Sequence, residues 1–116
     1  MTSPQKRKGH AAELAVVKWL RRYGINAARI QAGTHDDKGD VSGWPGVIIE
    51  VKDRKVHSWG AYFTQLRAQM QNAEAFTGVI ICKRPGHTDV AQWMAVMPMD
   101  EWFALVRLLE EKNNGI

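Results

Sequence analysis

The segment from Gly39 to Lys52 constrains the fold more than any other part of the sequence. Its second half, residues 47–52, has three apolar β-forming residues followed by charged residues at alternate positions, a pattern typical of a strand. Because successive side chains of a strand point to opposite faces, Glu50 and Lys52 share one face while Val51 points into the core. The sequence therefore predicts a sheet in which a buried strand carries charged side chains at its end.

A turn that contains glycine and proline, residues 43–46, separates this strand from Asp40. The turn lets the chain fold back, so we expect Asp40 to lie close to Glu50. Two carboxylates and the ammonium of Lys52 would then meet at the edge of the sheet, an arrangement that suits a hard divalent cation such as Mg²⁺. A lysine beside such an ion can orient a bound water and offset charge that develops on phosphorus. The alternative is an ordinary solvated pair, the common role of a Glu-x-Lys on a strand.

Length, cysteine content and hydropathy predict a single-domain protein of the cytoplasm. One domain spans residues 1–116, with a basic, flexible N-terminus at 1–8 and a polar tail at 111–116. The one cysteine, Cys82, lies in an apolar run, which excludes a disulfide within the chain and favours a buried position. No apolar segment reaches the length of a membrane span, and no signal core follows the N-terminus, so we expect a cytoplasmic protein with no membrane partner.

The charge distribution is compatible with a polyanionic partner. The chain has 16 basic and 12 acidic residues and a net charge of +4. Short basic runs alone are usually solvated surface, but they also suit a nucleic acid backbone. The runs are Lys6, Arg7 and Lys8; Arg21 and Arg22; Lys52, Arg54 and Lys55; and Lys83 and Arg84.

The first helix is predicted from about Gly9 to Tyr23, with Val16, Val17 and Leu20 on its apolar stripe. Glu13 is anomalous because it shares that inward-facing stripe. A carboxylate in this position is costly unless it reaches a cation, a metal or solvent. Glu13 is therefore either a helix-start glutamate or a member of a site that faces Asp40 and Glu50.

The remaining pattern predicts an α/β fold with a mixed five-stranded sheet flanked by helices, in the order α-β-β-β-α-β-β-α. A second helix is predicted over Ser58–Phe76, and further strands over Ile25–Gln31, Thr77–Lys83 and Trp93–Met97. A final amphipathic helix carries Trp102, Leu105, Val106 and Leu109. We expect Trp19, Trp93 and Trp102 in the core, and Trp44 and Trp59 on the surface.

The polar loop at residues 32–38 offers alternatives to Asp40 as the metal-binding acid. Asp36 and Asp37 lie in this loop, whereas Asp40 enters a strand and is the better candidate. The second helix has a polar face opposite its apolar stripe. It consists of Gln65, Gln69 and Asn72.

Several motifs follow one another in a recognisable order. They are Gly9-His10-Ala11-Ala12-Glu13 at the start of the first helix, Gly39-Asp40 and Glu50-Val51-Lys52 as a split motif, Gln65 in the next helix, and Val79–Gly86 as a strand and turn. This ordered set resembles the PD-(D/E)XK nuclease superfamily, and within it the archaeal-type Holliday junction resolvases and their small bacteriophage relatives. The likeness covers nearly the whole chain and implies a restriction-endonuclease-like fold. Two departures are Gly39, where a proline is usual, and Gly33-Thr34-His35, where a serine is frequent.

The resemblance implies a role for each matching residue. Asp40, Glu50 and the Val51 carbonyl would hold Mg²⁺ or Mn²⁺, Glu13 would bind that ion or a second one, and Lys52 would assist the attacking water. The expected catalytic residues are thus Glu13, Asp40, Glu50 and Lys52. Residues expected to contact DNA are Lys6, Arg7, Lys8, Arg29, Thr34, Lys38, Arg54, Lys55 and Gln65.

These implications predict a metal-dependent, structure-selective DNA endonuclease that resolves four-way junctions. Because a junction has near-twofold symmetry and needs two matched cuts, the expected assembly is a homodimer. Two alternatives stay open: a nuclease of the same superfamily that acts on flaps, nicks or general DNA, and a DNA-binding module whose carboxylates are structural.

Overall fold

The computed structural model of the chain describes residues 3–31 and 37–114. It contains three α-helices, five strands and a 3-10 helix at Val90–Gln92. The helices are α1 (Pro4–Arg22), α2 (Trp59–Ala73) and α3 (Met99–Asn113). The strands are β1 (Ala28–Arg29), β2 (Val41–Ser42), β3 (Val47–Lys52), β4 (Thr77–Cys82) and β5 (Met94–Val96).

The strands form one mixed sheet in the order β1-β2-β3-β4-β5. Three neighbouring pairs are antiparallel, whereas β3 and β4 run parallel from Val47–Thr77 to Lys52–Cys82. Parallel neighbours need a crossover connection, and α2 supplies it between β3 and β4. The predicted α/β class with a mixed five-stranded sheet and three helices is confirmed.

The first helix starts at Pro4 rather than at Gly9 as predicted. Ser3 caps it, because its hydroxyl oxygen accepts a hydrogen bond from the Lys6 amide at 3.2 Å. Proline suits the first helical position, where its missing N–H has no partner to lose. The basic residues 6–8 therefore lie on the first turns of α1, not on the flexible lead-in that the sequence suggested.

Two hydrophobic clusters cover the two faces of the sheet, and β3 contributes to both. Ile49 and Val51 point towards α1, whereas Ile48 packs with the buried residues of α2. This is why β3 is buried along most of its length. The cluster under α1 contains Ala12, Val16, Val17, Leu20, Ala27, Val41, Ile49 and Val51. The cluster under α2 contains Ile48, Tyr62, Leu66, Ile80 and Cys82.

The tryptophans agree with the sequence prediction except at one position. Trp19 and Trp93 pack against the cluster under α1, and Trp44 and Trp59 are exposed. Trp102 is exposed, so its predicted place in the core is wrong. An amphipathic stripe shows that a helix has an apolar face, but not that this chain covers it.

Three predicted elements are shorter in the structure. The strand expected over Ile25–Gln31 is limited to the two residues of β1. The helix α2 ends before Glu74, which adopts a left-handed conformation with φ of 51°. Strand β5 spans three residues. Within residues 3–31 and 37–114, no helix has the length and apolar character needed to cross a membrane.

Candidate active site

Asp40 reaches β3 because Gly39 allows the chain to pass very close to that strand. Gly39 has φ of +97°, and a Cβ atom there would lie 2.9 Å from the Ile49 carbonyl oxygen. The Asp40 amide donates to that same carbonyl at 2.8 Å. The Asp40 carboxylate then accepts a hydrogen bond from the Val51 amide at 2.8 Å. Backbone contacts with β3 therefore hold Asp40 beside Glu50, as the turn in the sequence suggested.

Glu50 is a buried carboxyl group, with 4% of its surface exposed. One of its oxygens lies 3.5 Å from Lys52 Nζ, and the other accepts a hydrogen bond from the Gln69 amide. Burial and the adjacent Asp40 carboxylate raise the pKa of Glu50 to about 8, although Lys52 acts in the opposite direction. Two acids so close in a poorly hydrated site cannot both ionise without a compensating positive charge.

Lys52 is held between Glu50 and an aromatic ring. Its ammonium lies 4.8 Å from the centroid of the buried Tyr62 ring, at a distance suited to a cation–π contact. The Tyr62 hydroxyl is 3.2 Å from His57 Nδ1, and the His57 ring stacks on Trp59 with centroids 4.6 Å apart. The sequence pattern did not single out Tyr62, because its position below Lys52 depends on how α2 packs on the sheet.

Glu13 lies on the inner face of α1 and finds a cation there. Its carboxylate accepts a hydrogen bond from Arg29 Nε at 3.0 Å, and both side chains are mostly buried. Burial and the Asp40 charge raise the pKa of Glu13, whereas Arg29 lowers it. The predicted inward position of Glu13 is thus accompanied by an ion pair with Arg29, another residue that the sequence assigned to the site.

Asp37 is anchored by several hydrogen bonds to α2 and to the neighbouring backbone. Its carboxylate accepts hydrogen bonds from Gln69 at 2.9 Å, from the Gly39 amide at 3.1 Å and from Gln65 at 3.3 Å. Asn72 also donates to its backbone carbonyl at 3.0 Å. Burial raises the pKa of Asp37, but these hydrogen bonds outweigh that effect and leave it below its usual range. Asp37 is therefore ionised over a wide pH range.

Gln69 links Asp37 to Glu50, since its amide nitrogen donates to both carboxyl groups. The side chain of Gln69 is fully buried, although the sequence places it on the polar face of α2. The available signal was that Gln69 lies three residues after Leu66 and four before Ala73 of the apolar stripe, since an amide buried there needs polar partners.

The site lies at the floor of a cleft of about 690 Å³. Glu13, Asp40, Glu50 and Lys52 all line it, and so do basic residues from α1 and from the segment after β3. A second cavity of about 310 Å³ shares the three acids and adds Arg29 and Asp37. The basic residues that line the larger cleft are Lys6, Lys8, Lys52, Arg54 and Lys55.

The residues predicted to contact DNA are not all in one place. Gln65 lines both cavities, and Arg29 lines the smaller one. Lys38 lines a separate pocket of about 220 Å³ beside the 43–46 turn, and Arg7 is exposed on α1 without lining any of these cavities. Thr34 lies outside the described residues.

The donor set around Asp40 and Glu50 is small. Within residues 3–31 and 37–114, no group of three or more His, Cys, Asp or Glu side chains is arranged to hold a metal ion. Two carboxylates are nevertheless a typical protein contribution to a Mg²⁺ site, since that ion keeps several waters. The Asp40 carboxylate raises the pKa of Glu50, and a bound cation would offset this repulsion between the two acids.

Comparisons of the chain with protein-family models, with curated proteins and with solved structures gave no match. The functional assignment therefore depends on the ordered motifs and on the contacts described above.

Proposed function

We propose that the protein is a metal-dependent endonuclease with a restriction-endonuclease-like fold, which hydrolyses phosphodiester bonds in DNA. The observation that carries the proposal is the meeting of Asp40 and Glu50 beside Lys52 at the floor of a cleft with a basic rim. The ordered motifs from Glu13 to Gly86 support the same assignment. An ordinary ion pair between Glu50 and Lys52 along β3 would not bring a second carboxylate into the same cleft.

The residues present fit a Mg²⁺ or Mn²⁺ ion. Asp40 and Glu50 would provide carboxylate oxygens, the Val51 carbonyl would add a neutral oxygen, and Glu13 would contribute through water or to a second ion. A bound ion supplies Lewis acidity and lowers the pKa of a coordinated water. Because a proton on Glu50 competes with the cation, metal binding should strengthen as the pH rises.

The protein side chains have separable tasks in this proposal. Lys52, held by Glu50 and the Tyr62 ring, stabilises negative charge that develops at the phosphoryl group. Gln69 fixes the orientation of Glu50 from the opposite side. Arg29 neutralises Glu13 in the free protein and is available to a phosphate at the same cavity.

The rim of the cleft suits a nucleic acid backbone. Lys6, Lys8, Arg54 and Lys55 line its opening, and such contacts give affinity without sequence readout. The finer proposal is that the substrate is a four-way junction cut by a homodimer, and this rests on the resemblance to junction resolvases. Flaps, nicks and linear duplexes are the alternatives.

The test is cleavage of four-way, flap, nicked and linear DNA by the purified chain in Mg²⁺, with EDTA as a blank. We expect Asp40→Asn and Glu50→Gln to abolish cleavage while junction binding is retained, because neither substitution adds negative charge that would repel phosphate. Glu111→Gln, an exposed change on α3, is the matched control and should cleave normally. Equal cutting of linear duplex would refute the junction assignment. Junction binding without any cleavage by the wild type would refute the enzyme and favour a binding module.

A further inference from the structure

The helix α3 presents large apolar side chains to solvent. Of its fifteen residues, none is buried. Met99, Trp102, Phe103 and Leu109 are between 49% and 69% exposed. Exposed apolar residues that occur singly are normal, but a contiguous group on one helix marks an interaction surface.

The apolar residues of α3 follow the spacing of a coiled coil. Met99, Trp102, Val106 and Leu109 are separated by three, four and three residues, which places them on one narrow stripe. Phe103 extends the stripe on one side. Leu108, equally exposed, points away from it because it lies about one hundred degrees from Leu109 around the helix.

The side-chain sizes of α3 distinguish between two ways of pairing it with a copy of itself. Its charges do not, because Asp100 and Glu101 lie near its start, and Glu110, Glu111 and Lys112 lie near its end. Parallel pairing would set Trp102 against the partner's Trp102 and Val106 against the partner's Val106, so a crowded layer would lie beside a thin one. Antiparallel pairing sets Met99 against the partner's Leu109, and Trp102 against the partner's Val106. A large side chain then faces a smaller one in each central layer.

The surface is large enough for a specific contact. At roughly 200 Å² for a fully exposed side chain of this size, the stripe leaves roughly 500 Å² of apolar surface per copy. Two copies would bury roughly 1,000 Å², which is near the lower bound for a specific interface. A symmetric pairing needs one patch that is complementary to itself, and α3 meets this requirement.

We propose that α3 is the self-association surface of the protein, and that it pairs antiparallel with α3 of a second copy. Within the described residues, the ion pair between Arg67 and Asp100, at 3.2 Å, ties the start of α3 to α2. This contact fixes the start of the helix while leaving its apolar stripe available.

The first test is sedimentation equilibrium of the full chain at about 100 µM. We expect the wild type to have twice the monomer mass of 13.1 kDa. Leu109→Glu should weaken association at least tenfold, and the matched control Leu108→Glu should leave it unchanged. Circular dichroism verifies that both variants keep their helix content, and Trp102→Ala provides a second stripe variant without a new charge. A monomeric wild type, or equal effects of the two leucine variants, would overturn the proposal.

The second test measures the direction of pairing through cysteine cross-linking with a mild copper oxidant. The native Cys82 is buried and is replaced by alanine as background. In an antiparallel pair, Met99→Cys and Leu109→Cys should form a disulfide with each other when mixed, and neither should cross-link alone. Cross-linking of either variant with itself would instead indicate parallel pairing and contradict the proposal. These readouts do not depend on nuclease activity, so they can fail or succeed independently of the proposed function.

Discussion

Replacing Glu50 by glutamine should make the metal-free protein more stable at alkaline pH. Burial and the Asp40 carboxylate raise the pKa of Glu50 from its ordinary 4.5 to about 8. Glutamine has nearly the same shape, carries no charge and still accepts a hydrogen bond from Gln69. Without a cation, the wild type must ionise a buried acid beside Asp40 when the pH is high, and the variant avoids this.

The size of the effect follows from the difference between the two pKa values. The pKa of Glu50 is higher in the folded protein than in the unfolded chain. The free energy of unfolding is therefore at its full value below pH 4.5, and it falls as the pH rises through about 8. Each unit of difference between the folded and unfolded pKa corresponds to about 1.4 kcal/mol. The difference between 4.5 and about 8 therefore lowers the free energy of unfolding by about 5 kcal/mol. The attraction of Lys52 is already contained in this pKa. Because relaxation of the site and entry of water reduce the penalty of a buried charge, we expect a net gain of roughly 2 to 4 kcal/mol at about pH 9.

The assay is urea unfolding in EDTA at about pH 5 and about pH 9. With a urea dependence of about 1–3 kcal/mol per molar, the variant's midpoint should exceed that of the wild type by roughly 1–2 M at the higher pH. The two proteins should agree at the lower pH, where Glu50 is protonated. Glu111→Gln serves as the control and should follow the wild type at both pH values. If the urea midpoints of Glu50→Gln and the wild type changed by the same amount between the two pH values, Asp40 and Glu50 would not be a buried, mutually repelling acid pair.

Three further substitutions test the neighbouring contacts. Lys52→Met should reduce cleavage of DNA by at least a hundredfold with little loss of DNA affinity, because the ammonium stabilises charge that develops at the phosphoryl group. A loss of DNA affinity as large as the loss of cleavage would indicate a binding role instead. Gly39→Ala should destabilise the protein by about 1–3 kcal/mol in thermal unfolding, because the left-handed backbone and the nearby Ile49 carbonyl both oppose a Cβ. Gly60→Ala, at an open helical position, should instead be neutral or stabilising by up to about 1 kcal/mol. Gln69→Leu should cost about 2–4 kcal/mol in urea unfolding because two carboxyl groups lose their shared donor, whereas the exposed Gln71→Leu should cost almost nothing.

The central part of the site was predictable because it depends on short-range rules. Strand alternation places Glu50 and Lys52 on one face, and the turn at residues 43–46 returns the chain so that Asp40 lies beside Glu50. Glu13 was identified by its position on an apolar stripe, where an isolated carboxylate is costly. Each of these inferences uses residues within one element or two adjacent ones.

The contacts that the sequence missed join distant parts of the chain. Asp37 and Gln69 are 32 residues apart, and nothing in either segment specifies that they pair. The same holds for Tyr62 below Lys52, since their contact depends on the packing of α2 against β3. Periodicity shows which face of a helix is polar or apolar, but it does not specify what that face contacts. This also explains the misplaced Trp102, whose stripe is amphipathic but uncovered in the single chain.

The central claim is that Asp40 and Glu50 together bind a divalent cation, and calorimetric titration with Mn²⁺ tests it most directly. At about pH 7 we expect saturable binding with release of a proton, detected as a dependence of the heat on the ionisation enthalpy of the buffer, because the pKa of Glu50 is raised to about 8. Asp40→Asn and Glu50→Gln should each weaken binding at least tenfold. Two results would contradict the claim. One is the absence of saturable binding by the wild type at millimolar Mn²⁺, and the other is binding by the two variants as tight as that of the wild type.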